Sequence, residues 1–114
     1  MLIKFNIAEL HRAIRSERVS VTDHALKQAE ERDITLEECY DSVFFGEIIE
    51  YPSEGCKPCP KCLICGQTPK GRYIHTCWAY NDQKQLAILV TVYDPSETAS
   101  AWRWFDKYRK RRQT

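Results

Sequence analysis

The chain alternates between two hydrophobic periods, first 3.6 residues and then 2. Ile7, Leu10 and Ile14 fall at i, i+3 and i+7. That spacing predicts a helix over residues 7–15 with one apolar stripe and Asn6 as its N-cap. A Val19-Ser20-Val21 link leads to Thr22, a second N-cap, and to a helix over residues 23–32 with Ala25, Leu26 and Ala29 inward. Its polar face carries His24, Gln28 and Arg32 at i, i+4 and i+8. Thr35 and Glu38 form a capping box, in which each side chain satisfies the other residue's backbone N–H. They open a third helix with Leu36, Cys39, Tyr40, Val43 and Phe44 as its apolar members and Gly46 as its C-terminal stop.

From Glu47 the pattern becomes that of strands. Residues 47–51 read as a short strand ended by Pro52, and Pro58 and Pro60 keep the next stretch out of any sheet interior. Lys61 to Cys65 resumes as a strand, residues 66–71 make a turn, and a hairpin follows. Its two arms are rich in β-branched and aromatic residues, Tyr73 to Tyr80 and Leu86 to Tyr93, around a polar loop at 81–85. That loop length pairs Tyr80 with Leu86, His75 with Thr91 and Tyr73 with Tyr93. Tyr73, His75, Thr91 and Tyr93 then share one face, open for chemistry. Ile74, Trp78, Ile88, Val90 and Val92 share the other, as core. Pro95 ends the strand, and Ser96 caps a final helix carrying Ala99, Trp102 and Phe105.

At 114 residues with 43% apolar and 29% charged positions, the chain reads as one globular domain over residues 1–114. No apolar run reaches the roughly 18 residues that span a bilayer, and the first residues lack a signal peptide's apolar stretch. The expected location is the cytoplasm, with no membrane partner. Net charge is only +1, but it is unevenly placed. Residues 1–57 hold 7 Lys/Arg against 12 Asp/Glu, and residues 58–114 hold 10 against 4. A basic second half suits phosphates or an acidic partner.

Several short stretches together carry a family likeness. They are Thr22-Asp-His24-Ala25, Arg32-Asp-Ile34-Thr35, Gly46-Glu-Ile-Ile-Glu-Tyr-Pro52, Lys61-Cys-Leu-Ile-Cys-Gly66, Gly71-Arg-Tyr-Ile-His75 and Thr91-Val-Tyr-Asp-Pro95. In these the chain resembles a small bacterial family of unknown function related to the BrnT and RelE/ParE-type toxins of toxin–antitoxin systems. The resemblance implies an α+β fold, with N-terminal helices and a C-terminal helix packed on a four-stranded, mostly antiparallel sheet. It also implies RNA cleavage without a required cofactor, RNA as substrate and a cognate antitoxin as protein partner.

Metal-independent ribonuclease chemistry needs a base for the 2′-hydroxyl, cations for the phosphorane and an acid for the leaving oxygen. His75 can be base or acid near neutral pH. Arg72, at the start of the same strand, can hold the scissile phosphate in a two-pronged grip. Tyr93 can donate a proton or stack on a base. His24 and Arg32 match the family pattern and would reach the same groove. Lys70 in the adjoining turn, with Arg109, Lys110, Arg111 and Arg112 at the basic end, would bind nucleic acid. The bland alternatives are a hydrogen-bonded strand histidine, a helix-capping His24 and an ion-paired Arg32.

Cys56, Cys59, Cys62 and Cys65 place four thiols in ten residues. A structural zinc that braces the loop is one reading and a disulfide is another. The short middle spacer counts against zinc, because Cys62 and Cys65 on one strand would point to opposite faces. Cys39 and Cys77 read as small core residues. Two functions follow: a toxin-like endoribonuclease, or a non-catalytic nucleic-acid- or protein-binding module. They separate on whether the polar candidates converge on an open sheet face.

Overall fold

The computed structural model describes residues 6–50 and 61–98. Three helices, α1 (Ile7–Arg15), α2 (Asp23–Glu31) and α3 (Leu36–Phe44), accompany five strands. The strands are β1 (Val19–Val21), β2 (Glu47–Glu50), β3 (Lys61–Gln67), β4 (Tyr73–Asn81) and β5 (Leu86–Tyr93), and a short 3₁₀ turn spans Pro95–Thr98. They form one mixed sheet in the order β1-β5-β4-β3-β2, antiparallel except where β1 runs parallel to β5. The class is the α+β expected, with one strand more. The Val19-Ser20-Val21 link is that strand, too short to show its own period. The expected C-terminal helix lies outside the described residues.

All three helix starts follow local chemistry. Asn6 and Thr22 accept from the backbone N–H three residues on, and Thr35 with Glu38 makes the full capping box. Two helix ends use the same device without glycine. Arg18 N–H bonds Ala13 O and Glu17 N–H bonds Ile14 O, and Ile34 and Asp33 repeat this on Ala29 and Glu30. These are Schellman closures with Glu17 (φ 62°) and Asp33 (φ 58°) in the left-handed region.

Gly46 stops α3 as expected, its N–H bonding Val43 O at 3.2 Å, but without entering the left-handed region. A Cβ there would sit 2.6 Å from Ser42 O and 2.8 Å from Cys65 O. At Gly66 a Cβ would come within 2.0 Å of the same Ser42 O. The two glycines therefore let the backbone of α3 lie directly on β3. The helix-facing core joins Leu10, Ala25, Ala29, Cys39 and Val43 to Cys62, Ile64, Ile74, Trp78, Leu89 and Val92.

The hairpin register differs from the expected one. Its turn is residues 82–85, closed by Asn81 Oδ1 accepting from Lys84 N at 3.1 Å, so Asn81 pairs with Leu86 and Tyr80 with Ala87. A bulge opposite Cys77/Trp78 then makes Val90 an extra residue, and His75 pairs with Tyr93 and Cys77 with Thr91. The bulge reverses the alternation. Leu89 and Val92 face the helices, while Val90 joins Leu63, Cys65, Cys77, Tyr73 and Tyr93 on the other face. Ile88 alternates with Leu89 and so does not belong to the helix-side core. Beyond β1 the β5 edge is finished by Gln28 of α2, whose Oε1 accepts from Val92 N at 3.1 Å and from the Thr91 hydroxyl.

The α3–β3 contact sets the first expected outcome. Gly66→Ala should cost about 3 kcal/mol, because the clash is with backbone that cannot rotate away. Urea unfolding would measure it, and a change within about 0.5 kcal/mol would mean the two elements do not meet this closely.

Candidate functional site

Three of the nominated polar groups, His75, Tyr93 and Arg72, gather at one end of the sheet, where β4 begins and β5 ends. Strand alternation puts His75 on the face away from the helices, with Cys65 and Tyr93 as its cross-strand partners. Its Nδ1 lies 3.2 Å from the Tyr93 hydroxyl and the rings meet edge to face at 5.2 Å. That face is not open: His75 is 1% exposed, and Leu63, Cys65 and Cys77 beside it are buried. Burial drives the imidazole's pKa down to about 4, against a smaller upward pull from Asp94. At neutral pH His75 is an uncharged, enclosed ring.

Arg72 stands at the mouth of this end, where the β3–β4 turn delivers it. The turn is closed by Thr68 N–H on Arg72 O at 2.8 Å and by Gly71 in the left-handed region (φ 92°). Its guanidinium binds three groups from distant parts of the chain. Nε donates to Asp94 Oδ2 at 2.8 Å, Nη2 to Arg32 O at 3.1 Å and Nη1 to Asp33 O at 3.3 Å. The last two are carbonyls at the C-terminal end of α2, where positive charge complements the helix dipole. Three of the five N–H donors of Arg72 therefore hold the fold together.

Asp94 is the other half of this clasp, a residue that the sequence pattern does not single out. One oxygen takes Arg72, and the other accepts from Ser96 N at 2.9 Å and from the Ser96 hydroxyl at 2.6 Å. Burial pushes its carboxyl up, but the Ser96 and Arg72 hydrogen bonds outweigh this and leave it below the usual range. Asp94, not Ser96, caps the Pro95–Thr98 turn. The Asp-Pro pair was the available signal, since Pro at the first helical position places the cap one residue earlier.

The remaining candidates do not join this group. His24 is exposed on the first turn of α2, eight residues and about 12 Å of helix rise from the end that Arg72 clasps. Arg32 contributes its carbonyl to Arg72, and its side chain lies 3.8 Å from Glu31. Lys70 is exposed in the turn before β4. Arg109, Lys110, Arg111 and Arg112 lie outside the described residues.

The four-thiol zinc set does not fit. Cys62 is fully buried in the helix-side core and Cys65 lies on the opposite face of β3, so one ion cannot take both. Cys56 and Cys59 lie outside the described residues. Among the described residues no group of three or more His, Cys, Asp or Glu side chains is arranged to hold a metal. Burial raises the thiols of Cys39, to about 12, and of Cys62, which suits core residues rather than nucleophiles.

Across residues 21–94 the chain matches the family model of DUF4258, a domain of unknown function, and it belongs to that family. The match runs from the end of β1 to Asp94, so it takes in the whole clasp. No curated protein and no solved structure gives a significant match. No helix among the described residues is long and apolar enough to cross a membrane.

Buried His75 makes stability depend on pH. Unfolded, the ring takes a proton near pH 6.5, whereas folded it resists one until about 4. The unfolded state therefore binds more protons in that window, and stability falls as pH drops through it, by up to about 3 kcal/mol. Urea unfolding from pH 7.5 to 4.5 should show this loss, and His75→Gln should remove most of it. An unchanged slope in the variant would place the proton uptake elsewhere.

Proposed function

We propose that this chain is a toxin-related module that binds RNA and does not cut it with the His75 group. The observation that carries this is the state of the two residues on which cleavage would depend. His75 is 1% exposed with its pKa near 4, and Arg72 has three donors engaged by Asp94, Arg32 and Asp33. A general base must reach the proton it removes, and a phosphate clamp must have donors facing the phosphate. RNA is the ligand class that the charge favours, since residues 58–114 carry 10 Lys/Arg against 4 Asp/Glu, four of them in Arg109-Lys-Arg-Arg112. The resemblance of its short motifs to a family related to the BrnT and RelE/ParE-type toxins supports a place in a toxin–antitoxin pair, in the cytoplasm, with an antitoxin as protein partner.

Endoribonuclease activity is the second reading, and one observation favours it. His75 and Tyr93 are hydrogen-bonded at the same end of the sheet as Arg72 and Asp94, a set of proton-transfer and cationic groups. Cleavage at this site would need RNA to reach His75.

One experiment separates the two. Wild-type chain, His75→Gln and a chain ending at residue 108 are purified, and labelled RNA is followed for binding and for integrity. The binding reading expects intact RNA throughout, equal affinity for wild type and His75→Gln, and weaker binding by the shortened chain at low salt. For every phosphate that the shortened chain no longer neutralises, the logarithmic salt slope should flatten by about 0.7. RNA fragments made by wild type and absent with His75→Gln would replace this reading with the endoribonuclease.

A further inference from the structure

A second polar site lies at the opposite end of the hairpin from the clasp. Between the C-terminal half of α1 and the β4–β5 turn is a hollow of about 70 Å³, lined by Glu9, Arg12, Ser16, Arg18, Tyr80 and Gln85. A hollow of this size holds a few waters, room enough for a small oxyanion.

One of its two cations is held in place by backbone. Arg18 N–H bonds Ala13 O at 2.8 Å and Arg18 O accepts from Ala87 N at 3.0 Å, which pins the residue between α1 and β5. Its Nη1 rests on Lys84 O at 3.4 Å, over the hairpin turn. Gln85, on the far wall, sits in the left-handed region at φ 52°, and Glu17 before Arg18 at φ 62°. Non-glycine residues hold that conformation only at a steric cost, since Cβ crowds the following carbonyl.

Neither Arg12 nor Arg18 has a carboxylate within 4.0 Å among the described residues. Arg15, the next arginine of α1, is instead laid over the Phe44 ring at 4.7 Å. The negative charges facing this corner are Glu9, which lines the hollow, and Asp82, and both push the Tyr80 hydroxyl's pKa up beyond the rise that burial gives it. Two guanidiniums, the Ser16 hydroxyl and the Gln85 amide thus remain as donors around an opening exposed to solvent.

We infer that this hollow is a phosphate subsite, seating one phosphodiester of an RNA strand between Arg12 and Arg18. The inference rests on the RNA-binding reading for its ligand, but its geometry is independent of the His75 end. Guanidinium forks match tetrahedral phosphate oxygens in pairs, and Ser16 and Gln85 would take the remaining lone pairs. The contact reads backbone and not sequence.

Two arms test it on the full chain. In the first, inorganic phosphate is titrated against the ¹⁵N-labelled protein. The amides of Ser16, Arg18 and Gln85 should shift and saturate in the millimolar range, and fail to do so in Arg12→Gln/Arg18→Gln. In the second, RNA affinity is measured against salt. The double variant should bind about tenfold more weakly at low salt, with a shallower slope, and Arg12→Lys/Arg18→Lys should recover part of the loss. Both residues are exposed, and a dispersed amide spectrum confirms that the variants fold. Phosphate shifts absent from wild type, or unchanged RNA affinity in the folded glutamine variant, would overturn the subsite. Phosphate seating here in a wild-type chain that binds no RNA would support the subsite and overturn the RNA-binding reading.

Discussion

The guanidinium of Arg72 ties together the parts of this fold that the sheet alone does not join. Its three hydrogen bonds reach 22 residues forward to Asp94 and 39 and 40 residues back to Asp33 and Arg32. Through them the C-terminal end of α2, the start of β4 and the end of β5 are held at one point. Hydrogen bonds to charged groups typically contribute about 1.5–3 kcal/mol when protected, and less at a partly exposed side chain such as this one. The positional effect is larger than the energy. With Arg72 and Asp94 fixed, β5 ends where Tyr93 meets the His75 ring.

This clasp changes what the polar residues can do. Arginine, histidine, tyrosine and aspartate at one end of a sheet are the components of an active site, yet here their hydrogen bonds run mostly to one another and to backbone. The same groups that would bind and protonate a phosphate close a helix, cap a 3₁₀ turn and fill the space over the sheet. The hollow at the other end of the hairpin is organised in the opposite way. There the backbone carries the strain and the cationic side chains remain open to solvent.

Much of the fold was legible because its signals are local. Asn6, Thr22 and the Thr35–Glu38 box announce helix starts through hydrogen bonds three residues long, and α1 has the bounds its period predicts. The strands of the hairpin were equally plain. What escaped depends on contacts far along the chain. The three residues of β1 become a strand only because β5 lies beside them, and the bulge at Val90 has no sequence mark. Gly46 and Gly66 look like punctuation, but a single carbonyl of α3 explains both. The candidate site was half legible: His75 and Tyr93 do meet, though in a closed space, while the partners of Arg72 lie too far off in sequence to be read.

The central claim is that His75 is an enclosed structural ring and not a general base. It is tested most directly by following the His75 imidazole carbons by NMR from pH 8 to 3.5, with and without RNA. An enclosed ring predicts a neutral imidazole down to a midpoint of about 4, with shifts that RNA does not change. A midpoint at or above 6.5, or a His75 signal that moves when RNA is added, would contradict it.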